Sequence, residues 1–542
     1  MEIFGACLEG GEARLIRVEA LLGRGLNKIT LVGMADPVAR EARERIPAAV
    51  AAHGFAFPRG RVLFNLVPAQ LPKSGLPLDL ALAVAVLVED GQLPAPKAPC
   101  LFLGELDLEG SLGPPAKGVL LAAMAARAQG ISIVTDPSSA QEAAILPQLT
   151  VWPCSTLAEV AALLQGSEEG PEPLKNKPSP LPPNRLDQLR LQDVRGQELA
   201  RKAAVIAAAG GHSLLLEGPP GTGKSLLAQR ILSLLPDMEF EAALELARME
   251  ALLGPVQSLH RRPPWRAPHA SISVQGLLGG GRPLRPGELS LAHQGVLFLD
   301  EMPEFARPAL EGLRQPLDDG RVRIHRTRDW AEFPARVLLV ATRNPCPCGF
   351  ASHPKIPCRC TPYQVEKYRN RTSGPLLDRF DLMVEMGPVD PEVMQGPPTS
   401  PTTEEAETWM QTARQIQLGR KQKGRYGQAS EAEWEDFQNG PMSTCARQSL
   451  QQAAEALFLS GRACLRVLRV ARTIADLKGK ETLGRNDVLE SLAYRPRFKE
   501  EVATKKRNLI RSPMTPHQRQ STPALKPVAA DGSKPTEADR KT

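Results

Sequence analysis

The chain separates into segments by the period of its apolar positions. Residues 61–67, Arg-Val-Leu-Phe-Asn-Leu-Val, alternate polar and apolar side chains, the pattern of a strand with one buried face. Residues 39–53, 76–88 and 117–129 instead carry apolar side chains at helical spacing. The run from Leu76 to Val88 is apolar on every side except at Asp79. At about 13 residues it falls short of the roughly 20 that cross a bilayer, so it reads as a buried helix. Residues 213–217, 295–299 and 336–341 are short continuous apolar runs, expected as buried strands. Residues 405–495 place Ala, Gln, Leu and Arg at helical spacing. No internal repeat is present. The pattern predicts an α/β protein with a helical C-terminal part.

Breaks in the pattern give the boundaries. Residues 166–184 hold six prolines among Glu, Lys and Ser, a semi-rigid linker. It separates a first unit, 1–165, from a second, 185–391. A Gly-Pro-Pro-Thr-Ser-Pro-Thr-Thr-Glu loop at 396–404 precedes the helical unit at 405–495. The 542 residues therefore suit about three domains. The net charge of +7 lies mostly in residues 497–542, with 11 Lys/Arg against 5 Asp/Glu. That tail is expected to be disordered, either simply solvated or serving as a tether to nucleic acid or a partner. The body is nearly neutral, so nucleic-acid binding there must come from local patches. Aromatics are only 4%, which argues against long stacking platforms. The start has no signal-peptide shape and no segment suits a membrane, so a cytoplasmic protein is expected, with its nine cysteines reduced or metal-bound.

Residues 218–225, Gly-Pro-Pro-Gly-Thr-Gly-Lys-Ser, follow an apolar strand and open a helix at 225–235. This is the P-loop pattern in its required setting. Backbone N–H groups of Gly218, Pro219, Pro220, Gly221, Thr222, Gly223 and Leu226, so far as each has one, would cradle phosphates. Lys224 would reach the β- and γ-phosphates of ATP, and Ser225 would ligate Mg²⁺. Residues 295–301, Gly-Val-Leu-Phe-Leu-Asp-Glu, have the form of a Walker B strand. Asp300 would hold Mg²⁺ through water and Glu301 would activate the attacking water; two acids at a strand end can also be helix caps. A third strand ends at Asn344, placed to align water against the γ-phosphate. P-loop strand, Asp-Glu strand and Asn strand in this order are the layout of an AAA+ ATPase.

Two other clusters carry chemistry. Cys346, Cys348, Cys358 and Cys360 form C-x-C-x₉-C-x-C. Four thiols within fifteen residues of a cytoplasmic chain suit a structural Zn²⁺, with reduced free thiols or a redox role as alternatives. The C-x-C bite is tighter than the commoner C-x₂-C. Directly after Asn344, such a metal would rigidify the sensor loop. In residues 320–328 basic side chains alternate with apolar ones, as on a β-hairpin with one cationic face: Arg321, Arg323, His325, Arg326 and Arg328. These would touch phosphates without reading bases. A solvated hairpin is the plainer alternative.

The longest segments, RAPHASISVQGLLGGGRPLRPGELSLAHQGVLFLDEMPEF (266–305), LRQPLDDGRV (313–322), NPCPCG (344–349), SGPLLDRFDL (373–382) and SGRACLRVLRVARTIADL (460–477), resemble the ComM/YifB family of magnesium-chelatase-like AAA+ ATPases. The resemblance runs over roughly residues 1–500. It implies a hexameric ring helicase that drives branch migration of DNA while taken-up DNA is integrated in natural transformation. It also implies that Arg379 is an arginine finger reaching the neighbouring subunit's ATP and that Arg462 is the sensor-2 arginine. Surface pairing of Arg379 with Asp378 or Asp381, and a plain helix-surface charge at Arg462, are the alternatives. The long stretch between Lys224 and Asp300 corresponds to a helix-2 insert facing the ring channel, with Arg266 and His269 as DNA contacts. The hairpin at 320–328 matches the pre-sensor-1 hairpin. Relatives commonly carry a His-His pair where this chain has His269-Ala270. Residues 405–495 would form the helical lid. Residues 1–165 resemble a Lon-protease-like (S5-type) α+β domain. Pro77 stands where Lon carries its serine, and the lysine segment near 113–118 is shortened, so no peptidase activity is expected. Rival readings are a chelatase-like motor acting on a protein or driving metal insertion without DNA, and an ATP-dependent protease.

Overall fold

The structure, a computed structural model, describes residues 2–33, 36–69, 71, 75–167, 170–174, 189–326 and 330–495. Most of the expected linker, Arg328 and the basic tail lie outside the described residues. The first sheet is built from β1 (Ile3–Glu9), β2 (Glu12–Gly23), β3 (Lys28–Val32), β4 (Arg61–Val67) and β5 (Cys100–Leu103). A small hairpin, β6 (Glu105–Leu106) and β7 (Leu112–Gly113), stands apart, and β8 (Ser132–Thr135) with β9 (Val151–Pro153) completes the sheet. The order is β3-β4-β2-β1-β5-β8-β9. β2 runs antiparallel to β1 and β4, and the other pairs are parallel.

The alternation at 61–67 becomes β4, with Val62, Phe64 and Leu66 buried. Helix α1 (Asp36–Ala52) covers the expected 39–53 segment. Helix α2 spans Asp79–Glu89, three residues later than its apolar pattern begins. Pro77 suits the turn before the helix, and Asp79 then falls in the first turn, where an acid favours the helix dipole. Leu80 to Leu87 are all fully buried, as a helix apolar on every side requires. Helices α3 (Val119–Ala128), α4 (Pro137–Ala143) and α5 (Leu157–Gln165) complete the covering layers.

The second sheet joins β10 (Leu214–Glu217), β11 (Trp265–Arg266), β14 (Val296–Leu299), β17 (Leu338–Arg343) and β18 (Leu382–Glu385). Between β11 and β14 lies the short hairpin β12 (Gly279–Gly280) and β13 (Arg285–Pro286). The arm β15 (Arg321–His325) and β16 (Trp330–Pro334) follows β14. The sheet order is β11-β14-β17-β10-β18, with every pair parallel. Helix α6 (Glu198–Gly210) and helix α7 (Lys224–Leu234) flank it, and α6 buries an alanine-rich face under β10 and β18. The strands expected at 213–217 and 295–299 start one residue later and keep their ends, whereas the one expected at 336–341 shifts by two, β17 starting at Leu338 and running through Arg343. Helices Thr403–Gln422, Thr444–Leu457, Gly461–Leu477 and Arg485–Ala493 pack together beyond β18.

The two sheets are joined by an apolar seam. Helix α8 (Phe240–Ala251), the Leu252 that follows it and the β15–β16 arm contribute Leu244, Ala247, Met249, Leu252, Ala331 and Phe333 to one buried cluster. From the first sheet's side the same cluster takes Ala6, Leu76, Val119, Leu120, Ala123 and Leu146. The Gly118 N–H donates to Ala251 O at 2.9 Å, and Arg248 pairs with Glu12 at 3.2 Å. Residues 1–495 consequently cluster as one unit. Among the described residues, no helix is long and apolar enough to cross a membrane.

Candidate active site

β10 ends at Glu217, and the chain turns through Gly218–Gly223 into α7, whose first residue is Lys224. A Cβ on Gly218 would stand 2.1 Å from Met386 O, so only glycine fits where the turn leaves the sheet. Gly221 and Gly223 take left-handed φ values of 79° and 88°. These turns aim backbone N–H groups and the α7 N-terminus at one point, a ready anion site. Thr222 Oγ1 donates to Pro219 O at 2.9 Å and stiffens the loop. The Lys224 ammonium is buried and donates to Gly218 O at 2.7 Å, Pro219 O at 2.8 Å and Asn344 Oδ1 at 3.2 Å. Burial holds its pKa below the usual lysine range, opposed by Asp300, Glu301 and Glu217. Leu226 is partly exposed at the next turn.

The neighbouring strand ends close a ring of hydrogen bonds around this point. Ser225 Oγ donates to both Asp300 oxygens at 3.1 Å. Thr342 Oγ1 donates to Asp300 Oδ1 at 2.6 Å and accepts from the Glu301 N–H at 2.8 Å. Asn344 Nδ2 reaches Glu301 Oε1 at 3.4 Å, and Asn344 Oδ1 returns to Lys224. Glu301 has φ 50°, a left-handed conformation costly for a residue with a side chain and kept only where the surrounding structure over-determines it. A hydroxyl beside a carboxylate at the end of parallel strands is the donor set that Mg²⁺ prefers. Five sequence-chosen residues, Lys224, Ser225, Asp300, Glu301 and Asn344, are thus brought together. Thr342 was not singled out from the sequence; its signal is a lone hydroxyl after four apolar strand residues, Leu-Leu-Val-Ala-Thr.

The other candidates stand outside this ring. Arg379 folds onto its own chain: Nε donates to Arg314 O at 3.0 Å, Nη1 to Pro375 O at 2.6 Å, and Nη2 bonds Asp318. Its carboxylate partner is therefore Asp318, not Asp378 or Asp381. Asp381 is half-buried beside His212 Nδ1 (3.3 Å) and Arg466 Nε (3.7 Å). Burial works against its charge, but His212 and Arg466 hold the carboxyl below the usual range. Arg462 is exposed in the first turn of helix Gly461–Leu477, which Ser460 caps; Arg466, one turn on, is the arginine that approaches the Arg379 segment.

The β15–β16 hairpin forms, but its cationic face is partly neutralised. Arg321 donates to Glu332 at 2.6 Å, and Arg323 to Glu332 at 2.9 Å and Asp319 at 3.2 Å. The cross-strand register puts Glu332 opposite Arg323 and Trp330 opposite His325, so the acid comes from the strand that the basic pattern did not include. His325 and Arg326 are exposed toward the turn. Arg266 lies on the sheet-edge strand β11, between Glu250 and Glu288 at 3.9 Å each, rather than on a free loop. His269 is exposed, its Nδ1 2.8 Å from Ser271 Oγ.

The four thiols of Cys346, Cys348, Cys358 and Cys360 lie within 4.8 Å of one another. Cys346 and Cys348 sulfurs are 3.4 Å apart, and each is 3.6 Å from Cys358 Sγ. Tetrahedral zinc with bonds of about 2.3 Å sets its sulfurs about 3.8 Å apart, so the cluster fits one such ion. Backbone N–H groups of Phe350 and Arg359 hold the pKa of the Cys348 thiol down to about 6, while Cys346 and Cys348 help push those of Cys358 and Cys360 up, so the cluster by itself favours one thiolate. His353 is not a ligand: its Nδ1 accepts from the Lys355 and Ile356 N–H groups at 3.1 and 2.9 Å and shapes the intervening loop.

Three segments of the chain match families named for magnesium chelatase. Residues 18–139 match "Subunit ChlI of Mg-chelatase", 190–394 match "Magnesium chelatase, subunit ChlI", and 400–495 match the C-terminal part of that subunit. The chain is 38% identical over 504 residues to competence protein ComM of Haemophilus influenzae, covering 91% of this chain and 97% of that protein. It is equally 38% identical to YifB of Escherichia coli, over 90% of this chain and 95% of the relative. An uncharacterised protein of Mycobacterium tuberculosis is 37% identical over 91% of this chain and 98% of its own length. With an AAA+-type nucleotide domain at its centre, the chain belongs to the ComM/YifB family of magnesium-chelatase-like proteins.

Proposed function

We propose that the protein is an ATP-driven DNA motor, working as a ring of identical subunits, that promotes branch migration of recombination intermediates in natural transformation. The observation that carries the reading is the closed polar ring at the ends of β10, β14 and β17, in a chain whose relative is a competence protein. Lys224 binds the β- and γ-phosphates of ATP, and the amides of Gly218 to Leu226 cradle them. Ser225 and Asp300 hold Mg²⁺, which supplies charge neutralisation on the phosphate oxygens. Glu301 takes the proton of the attacking water, and Asn344 orients that water. Thr342 fixes both carboxylates, since it bonds one side chain and the other's backbone.

Arg379 acts on the ATP of the adjacent subunit and must leave Asp318 to do so; Arg462 serves the same phosphates as sensor 2. Such a finger contributes about 10³–10⁵ in rate. The β15–β16 hairpin, together with Arg266 and His269 of the insert, contacts DNA without reading sequence. Residues 1–165 form the Lon-like domain, 185–391 the ATPase core and 405–495 the lid; Cys346, Cys348, Cys358 and Cys360 bind one Zn²⁺.

The test is ATP hydrolysis without DNA, and with linear duplex, single strand and a four-way junction, with Glu301→Gln as blank. Strong stimulation by the junction, lost in Arg323→Ala/Arg326→Ala, is expected. Because three segments match a chelatase motor subunit, the second reading is a motor that remodels a protein partner or drives metal insertion. Hydrolysis indifferent to every DNA would favour it.

A further inference from the structure

We propose that the four-cysteine site is a metal staple for the phosphate loop, so that loading it with zinc sets how tightly the protein holds ATP. The inference rests on the reading of Gly218–Ser225 as a nucleotide site and adds a control on that site. Three contacts carry it. First, Gly349, one residue beyond Cys348, packs directly on the phosphate loop. A Cβ there would stand 2.5 Å from Pro220 Cδ and 2.7 Å from Pro220 Cγ, and Gly349 has φ 83°. The approach leaves no room for a side chain between the ring of Pro220 and the backbone of the cysteine loop. Second, Asn344 lies two residues before Cys346 and is bonded on one side to Lys224 and on the other to Glu301. Third, helix Pro362–Arg369 follows Cys360 immediately, begun by a Thr361–Gln364 capping box, and places the buried Tyr368 hydroxyl on the Asn344 backbone.

The loop is thus fastened to the nucleotide site at Pro220 and at Asn344. Its own internal order comes from little apolar burial: of the four cysteines only Cys346 is buried, and residues 351, 352 and 354–357 are largely exposed. A loop with so small a core needs a cross-link to keep a fixed shape. Within it the Cys348 N–H donates to Cys360 Sγ and the Cys360 N–H to Cys358 Sγ, each at 3.4 Å, the amide-to-sulfur bonds that orient thiolate ligands around a metal. With the four sulfurs bound to one ion, the loop presses Gly349 on Pro220 and holds Asn344 in line. With the ion removed, both contacts loosen together.

The test uses full-length protein purified without chelator. Zinc per chain is measured by elemental analysis, and affinity for a fluorescent ATP analogue is measured with Mg²⁺ in excess. Zinc is then stripped with a chelator, the chelator is removed, and zinc is added back. About one zinc per chain is expected. Stripping is expected to weaken nucleotide binding about tenfold, the low end of what disturbed positioning shells cost, and zinc to restore it. Gly349→Ala separates the staple from its effect, since it leaves the four ligands in place; it is expected to keep zinc and to weaken nucleotide binding by about the same factor. Protein that carries and takes up well under one zinc per chain overturns the metal site. Zinc present but nucleotide affinity unmoved by stripping or by Gly349→Ala overturns the link. Lys224→Ala is the blank: undiminished binding in that variant would sink the nucleotide-site reading itself, a result distinct from either failure.

Discussion

In the five-stranded sheet, the ends of three parallel strands deliver Lys224, Ser225, Asp300, Glu301, Thr342 and Asn344 to one place, where Ser225 and Thr342 bond Asp300, and Asn344 bonds Lys224 and Glu301. In the seven-stranded sheet, the loops at Leu76 and Gly118 meet the end of α8 instead, through methyl groups and one backbone hydrogen bond. The first arrangement places polar groups where losing any partner strands another, a cost of about 1–3 kcal/mol per orphaned group. The second is an apolar seam whose contribution is graded with area. The polar cluster therefore belongs to the parallel sheet, and the mixed sheet packs against α8 and the base of the β15–β16 hairpin.

This contrast can be broken most strongly at Glu301. Glu301→Gln is expected to lower ATP turnover about 10²–10⁴-fold, the range of a lost general base, while ATP still binds; phosphate release and nucleotide titration together measure this. At the seam, Leu244→Ala removes a side chain that is 3% exposed. It should destabilise the protein by about 2–5 kcal/mol, read from the denaturant midpoint, with nucleotide affinity kept. Thr342→Val preserves the strand but removes two hydrogen bonds at Asp300 and Glu301. Turnover should fall about tenfold or somewhat more, at roughly 1 kcal/mol net per bond, with the circular dichroism spectrum unchanged.

A smaller effect lies at Glu142, on α4 at the edge of the seam. Burial raises its carboxyl from the usual 4.5 to about 7, against the Val256 and Leu120 N–H groups that donate to it. The folded protein thus holds this proton more tightly than the unfolded chain. The stability so gained is complete below about pH 4.5 and is lost as pH rises through about 7. Glu142→Gln should flatten that slope in pH-dependent denaturation; an unchanged slope would show that the group titrates normally. The smallest effect concerns the hairpin. Glu332→Gln frees Arg321 and Arg323 from their shared acid. If the arm touches phosphates, DNA should bind more tightly, with a salt dependence steeper by about one unit of log–log slope. Unaltered binding would count against the hairpin as a DNA contact.

The phosphate site was legible in the sequence because its rules are local. Glycines at fixed spacing make the turn, the lysine and serine open the helix, and short apolar runs ending in Asp-Glu and Asn announce buried strands. What escaped depends on residues distant along the chain. Asp318 holds Arg379 across 61 positions. Glu332 neutralises the arginines of the hairpin only because the cross-strand register puts it there. Nothing near Leu76 or Gly118 signals that α8, more than a hundred residues away, will cover them, since an apolar loop has the same composition whether water or a helix end lies beyond it. Thr342 was visible as a hydroxyl but gained meaning only once β17 was seen between the two neighbouring strands.

That position of β17 has a mechanical consequence. Along a strand, successive side chains alternate between faces, so sliding β17 by one residue would turn Thr342 away and bring Arg343 toward Asp300. A neutral hydroxyl would be exchanged for a fixed cation, and the carboxylates would be neutralised by the protein itself rather than by a metal. The pairing of Glu217 with Arg343, in register across β10 and β17 and bonded at 2.6 Å, acts as the pin against that slip. A half-buried ion pair thus fixes the alignment on which the electrostatics of the site depends.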